Sequence, residues 1–258
     1  MNLELEGKVA MVTGGSRGLG RAIALKLAKE GCDLAICARG ERDLVEVAAE
    51  VREMGRSVHF QPLDVTEDQR VDAFVEQAAQ KLGRLDILVN NVGGNRRVAF
   101  ADSEDRDWQE ILDINFHSHV RFSRAVIPHM RLQSSGVILF IASIFGREAG
   151  GPGLSIYNTT KSALISLAKI MALELAPEGI RVNSIAPGSI RFPGGSWDRR
   201  CQEDPEGMAE FIRVNLPLGR FGTAEELADV VTFLASPRAS LVTGACVNAD
   251  GGQSHSLI

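Results

Sequence analysis

At 258 residues and a formal net charge of −5, the chain is long enough for one large α/β domain and lacks the basic surplus that nucleic acid or an anionic membrane surface would require. Hydrophobic residues at 45% and charged residues at 24% are those of an ordinary globular domain, and no apolar run approaches the roughly 20 residues of a membrane span. The four cysteines, Cys32, Cys37, Cys201 and Cys246, form no CxxC pair, which speaks against a metal site and suits a reducing, cytoplasmic compartment, while the acidic start "MNLELEGKVA" reads as no signal peptide.

Along the chain, strand-like apolar runs alternate with helical patterns. "KVAMVT" (8–13) comes first, followed by "LGRAIALKLAKEG", whose Leu19, Ile23 and Leu27 share one face and whose Gly31 supplies a stop. "DLAICA" (33–38) precedes "ERDLVEVAAEVREMG", with Leu44, Val47 and Val51 inward and Gly55 as terminator. "SVHFQP" (57–62), "LDILVN" (85–90), "GVILFIA" (136–142), "IRVNSIA" (180–186) and "ACVNA" (245–249) complete the series. Runs so continuously apolar suit strands covered on both faces. The expectation is one domain over 1–258, a Rossmann-type doubly wound parallel sheet of about seven strands with right-handed crossovers. Only 188–220 breaks the rhythm. Rich in Gly, Pro and charge and lying past a strand's carboxyl end, it is expected to be a long loop that covers the substrate.

Chemistry begins at "VTGGSRGLGRAI", where Gly14, Gly18 and Gly20 follow a G-x3-G-x-G spacing between the first strand and the first helix. A tight turn there brings backbone N–H groups and a helix N-terminus to a pyrophosphate. NAD-binding domains of this kind place a carboxylate at the end of the second strand, to hold the ribose 2′-hydroxyl. Here that position reads "ICARGE", with Ala38 and Arg39; Asp33 is at the wrong end of the strand, and Glu41 is the nearest acid beyond it. Arg39 and Arg17 flank the expected ribose, and guanidinium forks suit a 2′-phosphate, so NADP(H) is favoured over NAD(H).

The chain's only tyrosine, Tyr157, stands four residues before Lys161 in "SIYNTTKSALISLAKIMALELA". That spacing puts both on one helix face. A free phenol titrates near 10, so a proton shuttle at neutral pH needs its pKa lowered by about two to three units, on the order of 3–4 kcal/mol. One ammonium at about 4 Å and an effective dielectric of about 20 supplies roughly that much. Alone, YxxxK is a short pattern that a core tyrosine and a solvated lysine also produce.

Taken with the rest of the chain, it identifies a resemblance. The sequence resembles the short-chain dehydrogenase/reductase family over essentially its whole length: Thr13, Gly14, Gly18 and Gly20 match the glycine motif, Asp64 in "LDVTE" the acid after the third strand, and "NNVG" (90–93) the N-N-A-G motif. Asn115 in "LDINFHS", Ser143 in "FIASIFG", Tyr157 with Lys161, and Pro187–Gly188 complete the ordered matches. The resemblance implies hydride transfer between a nicotinamide and a carbonyl or alcohol carbon. It implies Tyr157 as proton donor or acceptor, Lys161 as the charge that tunes it and holds the nicotinamide ribose, Ser143 as the donor to the substrate oxygen, and Asn115 as the holder of a relay water. Cofactor contacts carried over are Gly14, Ser16, Arg17, Gly18, Leu19, Gly20, Arg39, Asp64, Val65, Asn91, Gly93, Tyr157, Lys161, Pro187, Gly188 and Ile190. Two positions depart from the pattern: Val92 replaces a small alanine, and Phe192 stands where a threonine usually contacts the nicotinamide carboxamide, leaving that contact missing or taken over by Ser189 or the Ile190 backbone.

The pattern most resembles bacterial 3-oxoacyl-acyl-carrier-protein reductases, so the leading expectation is NADPH-dependent reduction of a ketone such as a 3-oxoacyl thioester. NAD-dependent oxidation of a sugar, polyol or other secondary alcohol is the alternative, and a non-catalytic dinucleotide sensor or scaffold a further one. Retention of Asn115, Ser143, Tyr157 and Lys161 together argues against the last. Arg96, Arg97, Arg191, Arg199, Arg200 and Arg213 gather around the expected cleft; they would either hold an anionic substrate or form salt bridges with Glu203, Asp204 and Glu206. The histidines carry no catalytic signal. Family resemblance and the apolar outer face of "SALISLAKIMALELA" lead us to expect a homotetramer.

Overall fold

Seven of the apolar runs become the strands of a single sheet in the computed structural model, which describes residues 1–257. β1 (Val9–Thr13) is followed by α1 (Gly18–Lys29), β2 (Asp33–Ala38), α2 (Glu41–Glu53), β3 (Val58–Pro62), α3 (Asp68–Leu82) and β4 (Ile87–Asn90). Next, α4 (Asp105–Leu112) continues through a π-helical turn at Asp113–His117 into α5 (Ser118–Leu132). β5 (Gly136–Ile141), α6 (Ser155–Leu175) and β6 (Ile180–Pro187) follow. The last stretch holds the two-residue strand β7 (Ile190–Arg191), α7 (Ser196–Glu203), α8 (Pro205–Asn215), the two-residue strand β8 (Gly222–Thr223), α9 (Ala224–Ala235) and β9 (Cys246–Ala249).

Among the described residues, the main sheet is parallel throughout, in the order β3-β2-β1-β4-β5-β6-β9. Successive β1 residues face opposite sides: Ala10 and Val12 pack with α1, α2 and α9, while Val9 and Met11 pack with α3, α5 and α6. Both faces are therefore covered, as the lack of polar alternation in the strands requires. The direction of strand order reverses between β1 and β4, and in such sheets the crevice outside the carboxyl ends at that point takes the ligand.

The region 188–220 differs from the loop expected. β7 pairs with β8 through Ile190–Gly222 and Arg191–Thr223, and α7 and α8 lie between them. Neither helix has a fully buried residue; α8 turns Met208, Phe211 and Ile212 to one half-buried side, and in α7 only Trp197 and Cys201 share such a spacing. α9 starts on a reciprocal cap: Thr223 Oγ1 accepts from Glu226 N at 3.2 Å, and Glu226 Oε2 accepts from Thr223 N at 2.9 Å. Among the described residues no helix is long and apolar enough to cross a membrane, and no His, Cys, Asp or Glu cluster could hold a metal.

Candidate active site

The glycine turn is built for close approach. Gly14 and Gly15 donate their N–H groups to the Cys37 carbonyl at the end of β2, at 2.8 and 3.2 Å. A Cβ at Gly20 would fall on the Gly14 carbonyl oxygen, so no side chain fits there. Gly18 has φ +53, and a Cβ on it would lie 2.7 Å from the Phe192 ring. Asn91 braces the turn from β4, its Nδ2 donating to the Thr13 carbonyl at 2.9 Å and to that of Gly14 at 3.4 Å. Its amide is thus spent on the loop itself, which sequence spacing did not reveal.

α1 begins without a side-chain cap and with no acid in its first turn. α2, α3, α4 and α9 each carry acids there. An uncapped helix start next to a glycine turn leaves N–H groups and positive dipole for an outside anion, the setting a diphosphate requires. Arg17 and Arg39 are exposed beside it. Their neighbours Arg21 and Arg42 pair with Glu50 at 2.7 Å and Asp43 at 3.0 Å, yet among the described residues no ion pair engages Arg17 or Arg39. Glu41 sits exposed in the first turn of α2. Asp64 accepts from the Thr66 N–H and hydroxyl at 3.0 and 2.8 Å. Those bonds, the backbone one foremost, outweigh partial burial and hold its carboxyl below the usual range, helped by Arg39 and Arg70. Val65 beside it is buried.

Four buried or half-buried polar residues meet where β4, β5 and α6 converge. Ser143 lies two residues past β5, and its Oγ accepts from Phe145 N at 3.2 Å, starting the 3-10 turn at Ile144–Gly146. Tyr157 and Lys161 lie one turn apart on α6. Lys161 is 4% exposed, and its Nζ donates to the Ile141 carbonyl at 2.8 Å. A Cβ on Gly93 would stand 3.3 Å from that Nζ, so the "NNVG" turn passes close beside the ammonium. Burial brings Lys161 down to about 8.

The phenol behaves differently from expectation. Tyr157 is raised above its ordinary value, because surrounding protein desolvates it more than its hydrogen bond with Ser143 lowers it. The Lys161 ammonium lies 5.7 Å from the Tyr157 ring centroid and spends a hydrogen bond on a carbonyl, so it does not by itself bring the phenol down.

Asn115, fully buried, occupies the π-helical turn. Such turns recur at functional sites because they displace a side chain from the helical register. Its Oδ1 accepts from Gly94 N at 2.7 Å, and its Nδ2 donates to the Gly94 carbonyl at 2.9 Å and to Thr160 Oγ1 at 3.0 Å. Its amide therefore holds the "NNVGG" turn to α6. His119, one turn on, also has a place that sequence reasoning missed. Its Nε2 donates to the Val92 carbonyl at 2.8 Å, leaving Nδ1 buried without a partner. Burial first, then the nearby Lys161 charge, lower it to about 3, so the ring is neutral and the lysine carries the charge. Enclosure in the core is a signal that a lone histidine in sequence does not give.

Pro187 closes β6, and Gly188 N donates to the Ala249 carbonyl at 3.1 Å. Ser189 N donates to Gln253 Oε1 at 2.7 Å. At the position where a threonine was expected, the Phe192 ring lies between Gly18 and Gly195. Beyond it, Trp197, Phe211 and Phe221 stack with centroids 4.8 and 5.2 Å from Trp197, and Arg200 lies 4.9 Å over the indole. Most of the arginine cluster is spent. Arg96 pairs with Asp107 and Glu110, Arg191 with Asp198 and Arg213 with Glu210, partners other than the acids named from sequence. Arg199 donates to the Gly194 carbonyl at 2.8 Å.

Residues 14–254 match the model of a family described as enoyl-(acyl carrier protein) reductase. The chain is 35% identical over 250 residues to the 3-oxoacyl-acyl-carrier-protein reductase FabG of Thermotoga maritima, spanning 97% of this chain and 99% of that protein. Among solved structures it is similar to L-sorbose reductase of Gluconobacter frateurii, complexed with NADPH and L-sorbose, with a TM-score of 0.95, 35% identity and 100% of each chain covered. It is also similar to a 7α-hydroxysteroid dehydrogenase complexed with NADH and 7-oxo glycochenodeoxycholic acid, with a TM-score of 0.91, 31% identity, and 100% of this chain and 98% of that one covered.

Proposed function

The chain belongs to the short-chain dehydrogenase/reductase family, nicotinamide-dependent oxidoreductases acting on carbonyl or hydroxyl groups, and from that premise we propose that it is an NADPH-dependent ketone reductase. The observation that carries the cofactor preference is the pair of exposed guanidiniums, Arg17 and Arg39, engaged by no ion pair among the described residues, beside an uncapped helix start. Gly14, Ser16, Gly18, Leu19 and Gly20 cradle the diphosphate, Asp64 and Val65 face the adenine, and Asn91, Gly93, Pro187, Gly188 and Ile190 border the nicotinamide half. When bound, the dinucleotide supplies the hydride.

The chain's own residues handle the proton and the oxygen. Ser143 donates to the substrate carbonyl oxygen and Tyr157 Oη gives it a proton. A phenol held above its ordinary value is protonated at neutral pH, the form that reduction needs. The phenolate left behind faces the Lys161 ammonium, which lies 5.7 Å from the ring centroid. With its side chain committed to Gly94 and Thr160, Asn115 holds a relay water through its main-chain carbonyl. Residues 188–220 cover the substrate, and the half-exposed Ile170 and Leu173 on α6 belong to a homotetramer interface. A cytoplasmic setting fits the four free cysteines.

The first substrate class to test is a 3-oxoacyl thioester, on the likeness to the Thermotoga maritima reductase. A sugar ketone is the second reading, favoured by the full-length likeness to L-sorbose reductase. The deciding experiment is a fluorescence titration with NADPH and NADH, repeated on Arg39→Ala. NADPH binds more tightly, and the substitution weakens it by about 10–100-fold with NADH unchanged, as loss of a charged hydrogen bond implies. Tighter NADH binding by the unaltered protein overturns the preference and redirects the search to alcohol oxidation; failure to bind either overturns the reductase reading itself.

A further inference from the structure

The segment after β9 ties together the two walls of the cleft. Gly251 and Gly252 both have positive φ, and the Asp250 carboxylate accepts from Gly252 N and Ser254 N, each at 3.0 Å, so the chain doubles back on itself. The reversal presses Gln253 onto the Pro187–Gly188–Ser189 loop. Its Oε1 accepts from Ser189 N at 2.7 Å, and a Cβ on Gly188 would lie 2.7 Å from that same oxygen. Two contacts further on, the segment reaches the opposite wall: Ser254 Oγ and His255 N both donate to Glu148 Oε2, at 3.1 and 2.9 Å.

Glu148 lies between Ser143 and Tyr157 in the stretch that walls the substrate side. Its main-chain carbonyl accepts from Asn158 Nδ2 at 2.8 Å, and Asn158 adjoins Tyr157 on α6. One oxygen of Glu148 thus gathers two donors from the tail while its backbone holds the start of the helix that carries the tyrosine. Both Glu148 and Gln253 are partly buried, where such hydrogen bonds count for more than on an open surface.

We infer that residues 250–256 form a strap in which Glu148 and Gln253 are positioning residues, so that the nicotinamide-side loop and the substrate wall are held in one mutual arrangement. The functional meaning of the two walls rests on the reductase reading; the mechanical link does not. The strap acts through Tyr157 and Ser189 rather than by touching a reacting atom. Loosening it separates the two walls and slows turnover severalfold, while NADPH affinity, set largely at the glycine turn, stays within about twofold.

The link is tested by hydrogen exchange at the Ser189 amide, measured without substrate or cofactor, so its outcome stands apart from the identity of the reaction. Glu148→Ala raises Ser189 exchange severalfold although residue 148 does not touch Ser189. Glu148→Gln, which keeps an acceptor oxygen, leaves it near the unaltered rate. Removing residues 254–258 deletes the same two donors without altering the wall and gives the same rise, which covers the case in which Glu148→Ala fails to fold. If Ser189 exchange is unchanged in both the truncation and Glu148→Ala while Gln253→Ala raises it, the tail holds only its own loop and the strap is wrong.

Discussion

The two ends of the sheet use charge in opposite ways. At the amino ends, Asp86 is buried and saturated: it accepts from Val9 N at 2.9 Å, Lys8 at 3.2 Å and Arg84 at 2.6 and 2.7 Å. Arg181 nearby donates to the carbonyls of Val242, Leu234 and Ser236, closing the end of α9. A cavity of about 410 Å³ opens among these groups, against about 250 Å³ for one at the carboxyl rim beside Ser189 and Asn248. At the carboxyl ends, no ion pair among the described residues engages Arg17 or Arg39, α1 starts uncapped, and Lys161 is buried against a neutral carbonyl. The larger of these two cavities lies among satisfied charges, and the unspent charge lies at the other end of the sheet. Chemistry belongs with the unspent charge, because a group already satisfied has nothing left to offer a substrate.

If that division is right, substitutions at the two ends separate rate from stability. Tyr157→Phe has the largest effect, a fall in kcat of about 10²–10⁴-fold with NADPH binding and melting temperature nearly unchanged. Substantial residual turnover in single-turnover kinetics would break the comparison at its strongest point. Asp86→Ala does the reverse, costing about 3 kcal/mol in denaturant unfolding with little change in kcat, since it strands the Val9 N–H and removes three cation contacts. Burial alone would raise the Asp86 carboxyl, but the Arg84 bonds, the Val9 N–H and Lys8 together hold it low. Its contribution is therefore present above about pH 4 and is lost as pH falls through the depressed native value, so the gap between protein and variant closes in acid.

Lys161 supplies a second pH test, of the same sign but in a higher window. Its native value of about 8 lies below the ordinary 10.5, so between those values the unfolded chain binds more protons than the native one. Stability rises with pH across that window, by up to about 3 kcal/mol relative to Lys161→Met, in unfolding followed at several pH values. A flat difference would mean that the ammonium is better solvated than its enclosure implies. The smallest effect is at Thr223, a carboxyl-rim residue with a purely structural task. Thr223→Ala removes half of the cap on α9 and costs about 1 kcal/mol by thermal melting, leaving kcat alone.

The cofactor half of the molecule was more legible in sequence than the substrate half, for physical reasons. "KVAMVT" and "DLAICA" can only be inner strands because both faces of each are apolar, and the seven strand candidates agree with the sheet to within two residues at either end. Of the two helices within 188–220, α7 escaped notice because "SWDRRCQE" buries nothing fully and offers only Trp197 and Cys201 as a short apolar pair. Arg96 and Arg191 pair with Asp107 and Asp198, acids nearer to them in the chain than those named from sequence. His119, Glu148 and Gln253 are ordinary residues in sequence. Their importance comes from what folding brings beside them, a buried carbonyl for the first and each other's loops for the other two.

The π-helical turn around Asn115 also constrains how this chain can change in length. A π turn holds one residue more than an α turn, so deleting any one residue from 113–117 would restore an ordinary helix at no cost in backbone hydrogen bonding. Each residue of an α-helix advances the azimuth by about 100°, so α4 and α5 would then be rotated against each other by about that angle. Asn115 would swing off Gly94 and Thr160, or Trp108 and Ile111 off their own seats. Single deletions here should yield a well-formed helix in an inactive protein, a lesion of phase rather than of stability.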